Sequence, residues 1–325
     1  MERLCFVALM ALVLDYLIGD PDWLWRKIPH PVAVFGAAIK FFDRQFNRQS
    51  ICQPYRKIYG CLAILALLSL AFIVAFYVHI LFLKLNFFGI VLEAFVASIF
   101  IAQKSLVDHV QNVAKAFQLH SLQQARKAVS MIVGRETANL DEGAVSRAAI
   151  ESLAENSSDG VVAPVLWYLV LGLPGLVCYK MLNTADSMIG YKNARFKDFG
   201  WASARLDDIA NFIPARLTAL IIIIALYVFS GKSSAKEAFK VVARDARFHH
   251  SPNAGFPECA FAGGLGIRLL GPRIYDGTLV EEPFQNSDGK AALPADIDRA
   301  IKLFNQSMAV LFMMILALLI VAVCV

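Results

Sequence analysis

The sequence predicts an all-α protein, a polytopic integral membrane helical bundle with amphipathic or interfacial helices and long polar loops. Three observations predict it. Hydrophobic residues make up 58% of the 325 positions and charged residues only 18%, against about 45–50% and about 25% in an ordinary soluble domain. The apolar residues gather in blocks of bilayer length. The polar residues fall into four stretches between those blocks, with no internal repeat, low-complexity tract or soluble second domain, so residues 1–325 read as one membrane-embedded domain.

The blocks follow in order. The start, MERLCFVALMALVLDYLIGD, has a short basic head and an apolar run. Without a small-x-small cleavage site, and with Asp15 interrupting it, it reads as a retained first span or an interfacial helix. Gly60 to Leu83 carries no charge and exceeds the roughly 20 helical residues a bilayer requires. Phe87 to Ala102 is a second span despite Glu93. A mid-membrane carboxylate costs about 2.5–3.5 kcal/mol on insertion scales, so Glu93 must face the bundle, a partner or water. Val161 to Cys178 contains GLPG at Gly172 to Gly175, which breaks a helix. This segment either spans once or enters and turns back. Pro214 to Phe229 is slightly short but holds IIIIALYVF, and Met308 to Val325 closes the chain.

The polar stretches are Asp20 to Lys57, Gln103 to Gly160, Lys180 to Ile213 and Gly231 to Asn305. In the second, Ser121 to Gln124 forms a capping box opening a helix that Gly134 can close. All four carry Lys or Arg, which favours the cytoplasmic side. If they share a side, 161–178 and 214–230 both fail to cross. Otherwise both cross and Lys180 to Ile213 lies outside. The expected location is the cell membrane, multi-pass, with a cytoplasmic active face.

Composition also excludes. A net charge of +5 is mild and fits cytoplasmic loops, so no nucleic-acid partner is expected. The six cysteines form no CxxC pair, which argues against a disulfide framework or a zinc site. SGKSS at Ser230 to Ser234 fails as a phosphate-binding loop, because Leu226 stands where glycine is required.

Four constellations carry chemistry. In ESLAENSSDG, Glu151, Glu155 and Asp159 recur at i, i+4 and i+8, one face of a helix. That row suits Mg²⁺ or an amine, or it is a helix surface salt-bridged by Arg147. In NTADSMIGYKNARFKDFG, Asn183 and Asp186 follow an apolar segment and Lys192, Arg195 and Lys197 come next. Carboxylates followed by cations suit a phosphorylated substrate with a metal, or an interfacial snorkelling loop. In ARLDDIANFIPARLT, Asp207 and Asp208 repel unless a cation or proton relieves them. Asp207 and Asn211 are spaced i, i+4, so a metal fits there, or Arg205 and Arg216 simply collar the acids. In HHSPNAGFPECAFAGGLGIRLLGPRIY, Pro252, Gly255 and Pro257 predict irregular backbone presenting Asn253 and Glu258. Upstream, Lys236, Lys240, Arg244 and Arg247 form a basic stripe for lipid headgroups or a substrate phosphate.

Five stretches then carry a likeness: LDYLIGDP with HPVAVFG, ESLAENSSDGVVAP, NTADSMIGYKN, FGWASARLDDIANFIPARLTA and SPNAGFPECAFAGGLGIRL. In order and over nearly the whole chain, they resemble the CobD/CbiB family of adenosylcobinamide-phosphate synthases, from cobalamin biosynthesis. The resemblance implies an enzyme that joins adenosylcobyric acid to (R)-1-amino-2-propanol phosphate by ATP-dependent amide formation with Mg²⁺. Within it, Asp207 and Asp208 are expected to hold the metal, with Asp186 beside them. Lys192, Arg205 and Arg216 would neutralise phosphate. Glu151, Glu155 or Asp159 would take the ammonium proton. Asn156, Asn183, Asn211, Asn253 and Glu258 would bind substrate. These clusters are expected to converge in one pocket beside the bilayer. The expected partners are the corrinoid, the aminopropanol phosphate, ATP and membrane lipid, with homo-oligomerisation left open. Two rival readings are a Mg-dependent membrane prenyl or phospho-alcohol transferase and a corrinoid-binding membrane protein or transporter. Against the first, Pro164 stands where the phospho-alcohol pattern needs Arg. Against the second, the long spans are nearly charge-free and no inverted repeat appears.

Overall fold

In the computed structural model, residues 1–324 are described apart from 49, 276 and 277. The chain is helical almost throughout. It runs α1 (Glu2–Leu17), α2 (Asp22–Trp25), α3 (Pro31–Phe46), α4 (Gln53–Lys84), α5 (Asn86–Ser98), α6 (Gln103–Gln118), α7 (Leu122–Val129), α8 (Glu142–Ser157), a π-turn (Ser158–Val162) and α9 (Ala163–Ile189). Then come α10 (Trp201–Ala210), α11 (Phe212–Phe229), α12 (Lys232–Asp245) and α13 (Gly255–Leu265). Four short strands, β1 (Leu269–Leu270), β2 (Arg273–Tyr275), β3 (Thr278–Val280) and β4 (Phe284–Gln285), precede α14 (Pro294–Cys324). β1 pairs antiparallel with β4, and β2 with β3.

Five helical stretches carry a window long and apolar enough to cross a membrane: 53–84, 86–118, 142–189, 212–229 and 294–324. Burial on α4 is inverted relative to a soluble helix. Small residues such as Ala63, Ala71 and Ala75 are buried, while Leu62, Leu65, Leu70, Phe72, Ile73 and Tyr77 are exposed. Small residues let helices approach closely inside a bilayer, and large apolar ones face lipid at no cost. This is the polytopic all-α membrane architecture that the blocks predict.

The chain packs as two interleaved compact units: Met1–Ala102, Ala163–Asn211 and Ile315–Val325 form one, and Gln103–Val162 with Phe212–Met314 forms the other.

In the first unit α4 packs on α9, α5 and α10, and α1 on α5 and α9. α3 starts sharply, with Pro31 in the first turn and His30 Nδ1 accepting from the Val32 N–H. Glu93 is fully buried on α5, as its position demands. It accepts from Arg3 on α1 (2.8 Å) and from the Tyr168 hydroxyl (2.9 Å), and lies 2.8 Å from His79 Nδ1 on α4.

The GLPG segment turns back on itself. Gly172 adopts φ +64°, ψ −155° inside α9. Beyond it, a side chain on Gly175 would overlap the carbonyl of Trp167. Residues eight apart on a straight helix are about 12 Å apart. The Trp167 indole N–H donates to Ala210 O (3.1 Å), and the Tyr179 hydroxyl donates to Asn211 Oδ1 (2.9 Å). Two residues twelve apart thus reach consecutive positions of the chain, where a straight helix would separate them by about 18 Å. The chain therefore folds back on itself at Gly172.

In the second unit, α13 packs on α12, α11 and α8, and α6 on α7 and α8. The capping box opens α7 as expected, with Ser121 Oγ accepting from Gln124 N at 3.2 Å. The helix ends at Val129, however, five residues before Gly134. Tertiary bonds stop it: Arg126 Nε donates to Leu140 O, and Ser152 Oγ donates to Ile132 O. The irregular backbone expected around Pro257 is also corrected. Gly255–Leu265 is a helix, with Pro257 in its first turn, where a missing N–H leaves no partner unpaired. Gly263 is required there, since a Cβ would lie 2.7 Å from Ala238 Cα on α12.

Candidate functional site

The second arm of α9 carries Tyr179, Asn183 and Asp186 at i, i+4 and i+7, one helical face. α10 presents Asp207, and Asn211 caps it. Asn211 Nδ2 donates to Asp207 Oδ2 (2.9 Å), Asn183 Nδ2 lies 3.5 Å from Asp207 Oδ1, and Tyr179 holds the Asn211 amide by its oxygen. Gly190 makes room for this face, because a side chain there would collide with the Asp186 carboxylate.

Asp207 is 8% exposed. Burial, then the Asp186 carboxylate, pushes its pKa up to about 7, with Asp208 adding slightly and the two asparagine amides opposing. Asp207 thus meets two amides, with the half-buried Asp186 carboxylate near enough to raise it. Asp208, the next residue, points elsewhere. Its pKa is raised by burial and lowered in part by Arg205 and Lys192, and Arg205 NH1 lies 3.9 Å from it. Successive helical residues diverge by about 100°, so the acid beside Asp207 is Asp186 from another helix. Lys192 and Arg205 are both exposed. The loop that carries Lys192 is fixed by Asn193 Oδ1, which accepts from Arg195 N and Phe196 N, and by an Arg195–Asp43 ion pair at 2.6 Å.

Among the described residues, no three His, Cys, Asp or Glu side chains are grouped to hold a metal. Mg²⁺ needs no such cage, since it commonly takes one or two carboxylates plus substrate phosphates and waters. The two carboxylates fit that chemistry, while the asparagines turn their N–H groups toward Asp207. The repulsion raising Asp207 is what a bound cation relieves.

The remaining candidates lie in the second unit. Glu151 is buried and accepts from Arg135 (2.9 Å) and the Leu270 N–H (2.7 Å), with Arg147 Nε at 3.8 Å. The Arg147–Glu151 pairing weighed from spacing is therefore present. Glu155 is exposed, and Asp159 sits in the π-turn beyond the end of α8, half-buried. Asn156 donates to Ser152 O on its own helix. Arg216 is sandwiched between Phe212 (3.5 Å) and Phe256 (4.0 Å), donates to Phe212 O, and lies 3.5 Å from Asn253 Oδ1. Glu258, 2% exposed, accepts from Gln285 and lies 3.5 Å from His249. Sequence reasoning overlooked Tyr179 and Arg135. Tyr179 was legible as a polar-tipped residue one turn before Asn183. Arg135 had no local signal, because its partner is sixteen residues away on α8.

An acid–amide cluster on a folded-back helix, within a multi-span helical bundle, is the polar feature of an integral membrane protein. The CobD/Cbib protein family matches residues 8–304, and the chain belongs to the CobD/CbiB family. It is 51% identical over 318 residues to a Cobalamin biosynthesis protein CobD from Sinorhizobium sp, covering 98% of each chain. Identity is 47% to the Brucella suis biovar 1 protein of that name, with 98% of this chain and 97% of that one covered. It is 45% to one from Rhodobacter capsulatus, covering 94% of each. No solved structure matches the chain.

Proposed function

We propose that this protein acts in cobalamin biosynthesis and joins adenosylcobyric acid to (R)-1-amino-2-propanol phosphate, with ATP driving amide formation. Family membership and the names of the relatives support the pathway. The Asp186–Asp207 pair supports the chemistry, because a buried carboxylate whose pKa is raised beside a second acid suits a metal delivered with phosphate.

A carboxylate does not condense with an amine unaided in water. ATP converts it to an acyl phosphate or acyl adenylate, and the amine nitrogen then displaces phosphate or AMP. Mg²⁺ held by Asp186 and Asp207 would supply charge neutralisation at the transferring phosphoryl group. Asn183 and Asn211 keep the Asp207 oxygens aimed. Lys192 and Arg205, flanking Asp208, offer cations at the rim for phosphate oxygens. Glu155 and Asp159 are assigned to the amine, which must lose a proton before attack. Asn156, Asn253 and Glu258 are assigned to the corrinoid.

Purified protein given all three substrates and Mg²⁺ is expected to yield the amide by mass. No product under conditions where an established family enzyme works would overturn the reading. The transferase alternative predicts phosphate-ester or prenyl transfer from the same protein instead.

A further inference from the structure

The polar stretch at Asp20 to Lys57 supplies no residue to the reaction proposed above. Its last part closes on the loop that carries Lys192. That loop, residues 190–200, joins the second arm of α9 to α10, and so joins the elements that carry Asp186 and Asp207. We infer that Arg56, in the first turn of α4, is a positioning residue. Through the Ala194 and Arg195 carbonyls it holds the 190–200 loop, so that Lys192 stands beside the acids as a phosphate-binding arm. The phosphate ligand comes from the proposed reaction; the geometry does not depend on it.

The contacts converge on one stretch of backbone. Arg56 is 8% exposed. Its NH2 donates to Ala194 O (3.4 Å) and to Arg195 O, and its Nε donates to Asn47 Oδ1 (3.0 Å). Asn47, at the end of α3, donates in turn to Arg195 O (3.2 Å) and to Asp43 Oδ1 (2.8 Å). The other Asp43 oxygen takes the Arg195 guanidinium at 2.6 Å. One connected set of bonds thus ties α3, α4 and the loop. Taking a guanidinium out of water is costly unless its N–H groups are bonded, and these bonds go to the loop and to Asn47.

The loop in turn uses those donors. Asn193 O accepts from Phe196 N and Lys197 N, and Phe196 O accepts from Gly200 N. The two carbonyls between them, Ala194 and Arg195, fall to Arg56 and Asn47. Backbone groups outside a helix or sheet must find partners elsewhere.

Close contacts shut the far end. A side chain on Gly60 would overlap the Phe199 carbonyl, and one on Gly200 the Ile189 carbonyl. Lys57 Nζ lies 3.8 Å from the Trp201 ring centroid. Arg56, Lys57 and Gly60, within two turns of α4, therefore meet this segment at three points. Lys192 is exposed, yet near enough to Asp208 to lower its pKa. A lysine on a pinned loop gives up less freedom on meeting a phosphate than one on a loose loop.

The test uses full-length protein in detergent. Affinities for aminopropanol phosphate and for Mg-ATP are measured separately by calorimetry. Lys192→Ala is expected to weaken one of them about tenfold, the scale of one charge-assisted bond. Arg56→Gln should weaken that same ligand about fivefold, and the double variant about tenfold rather than the roughly fiftyfold of independent effects. Trypsin should cut within 192–197 faster in Arg56→Gln than in wild type, because the loop opens locally. Effects that multiply in the double variant overturn the positioning role, as does unchanged affinity for both ligands in either single variant. Unchanged cleavage overturns the clasp. If Arg56→Gln does not fold, Asn47→Ala, which also removes a bond to Arg195 O, takes its place in the same cycle and digestion. Coupled binding without amide formation overturns the reaction and leaves the clasp standing. Independent binding effects with normal turnover do the reverse.

Discussion

Two buried carboxylates in the first unit, Glu93 and Asp207, have opposite surroundings. Glu93 has no exposed surface and meets an arginine, a histidine and a tyrosine from three different helices. Asp207 meets two amides and a second carboxylate. The first acid is committed: its neighbours already balance its charge, and its role is to hold α1, α4, α5 and the hairpin together. The second is held in an energetically poor state that a cation improves. Burial alone therefore does not separate a structural acid from a functional one. The sign of the neighbouring charges does.

The contrast can be broken experimentally. Asp207→Asn is expected to cost turnover most, about a thousandfold or more, several kcal/mol of transition-state stabilisation. Its thermal unfolding at pH 8 should be unchanged or higher, because a repulsive pair is gone. Loss of folding together with activity would place Asp207 with Glu93 as a structural acid. Glu93→Ala should do the reverse, costing about 3–5 kcal/mol of stability by stranding its cationic partners, while folded protein keeps most of its turnover. Detergent unfolding curves and single-turnover assays check both.

Gly172→Ala tests the hairpin that joins the two acids' surroundings. A non-glycine residue at φ +64°, ψ −155° should lose about 1–3 kcal/mol, seen as a lower unfolding temperature. A neutral substitution would count against the fold-back.

The pH dependence sharpens the comparison further. Asp207 binds its proton up to about pH 7 when folded, but only to about 3.8 when unfolded. The folded state therefore holds more protons in that window. The Asp207 contribution to metal-free stability should be fully present below pH 4 and be lost as pH rises through 7. In Asp207→Asn this component should vanish. Mg²⁺ competes with the proton, so its affinity should weaken by about tenfold per unit below pH 7, measured by calorimetry. The smallest effect is expected at Asp208→Asn, within about 1 kcal/mol in stability because its ion pair with Arg205 is largely solvated. Its turnover should fall far less than in Asp207→Asn.

Much of the fold is legible along the chain. The blocks at Gly60 to Leu83 and Met308 to Val325 became α4 and the end of α14, because length and apolarity decide such helices locally. The i, i+4 pairing of Asp207 with Asn211 and the cap at Ser121 were readable for the same reason. The stop of α7 at Val129 was not, since it depends on bonds from Arg126 and Ser152 to distant carbonyls. The helix at Gly255–Leu265 was hidden because prolines and glycines that read as a loop also suit a first turn and a close helix contact.

The sequence alone determined the membrane class, the helical blocks and the family, because hydrophobic length and ordered motifs are properties of contiguous residues. Only the tertiary structure decided that GLPG bends α9 double, that Asp186 rather than Asp208 faces Asp207, and that Arg135 meets Glu151. Each of those facts depends on which residues meet across the fold, and electrostatic energy depends on distance in space, not on separation along the chain.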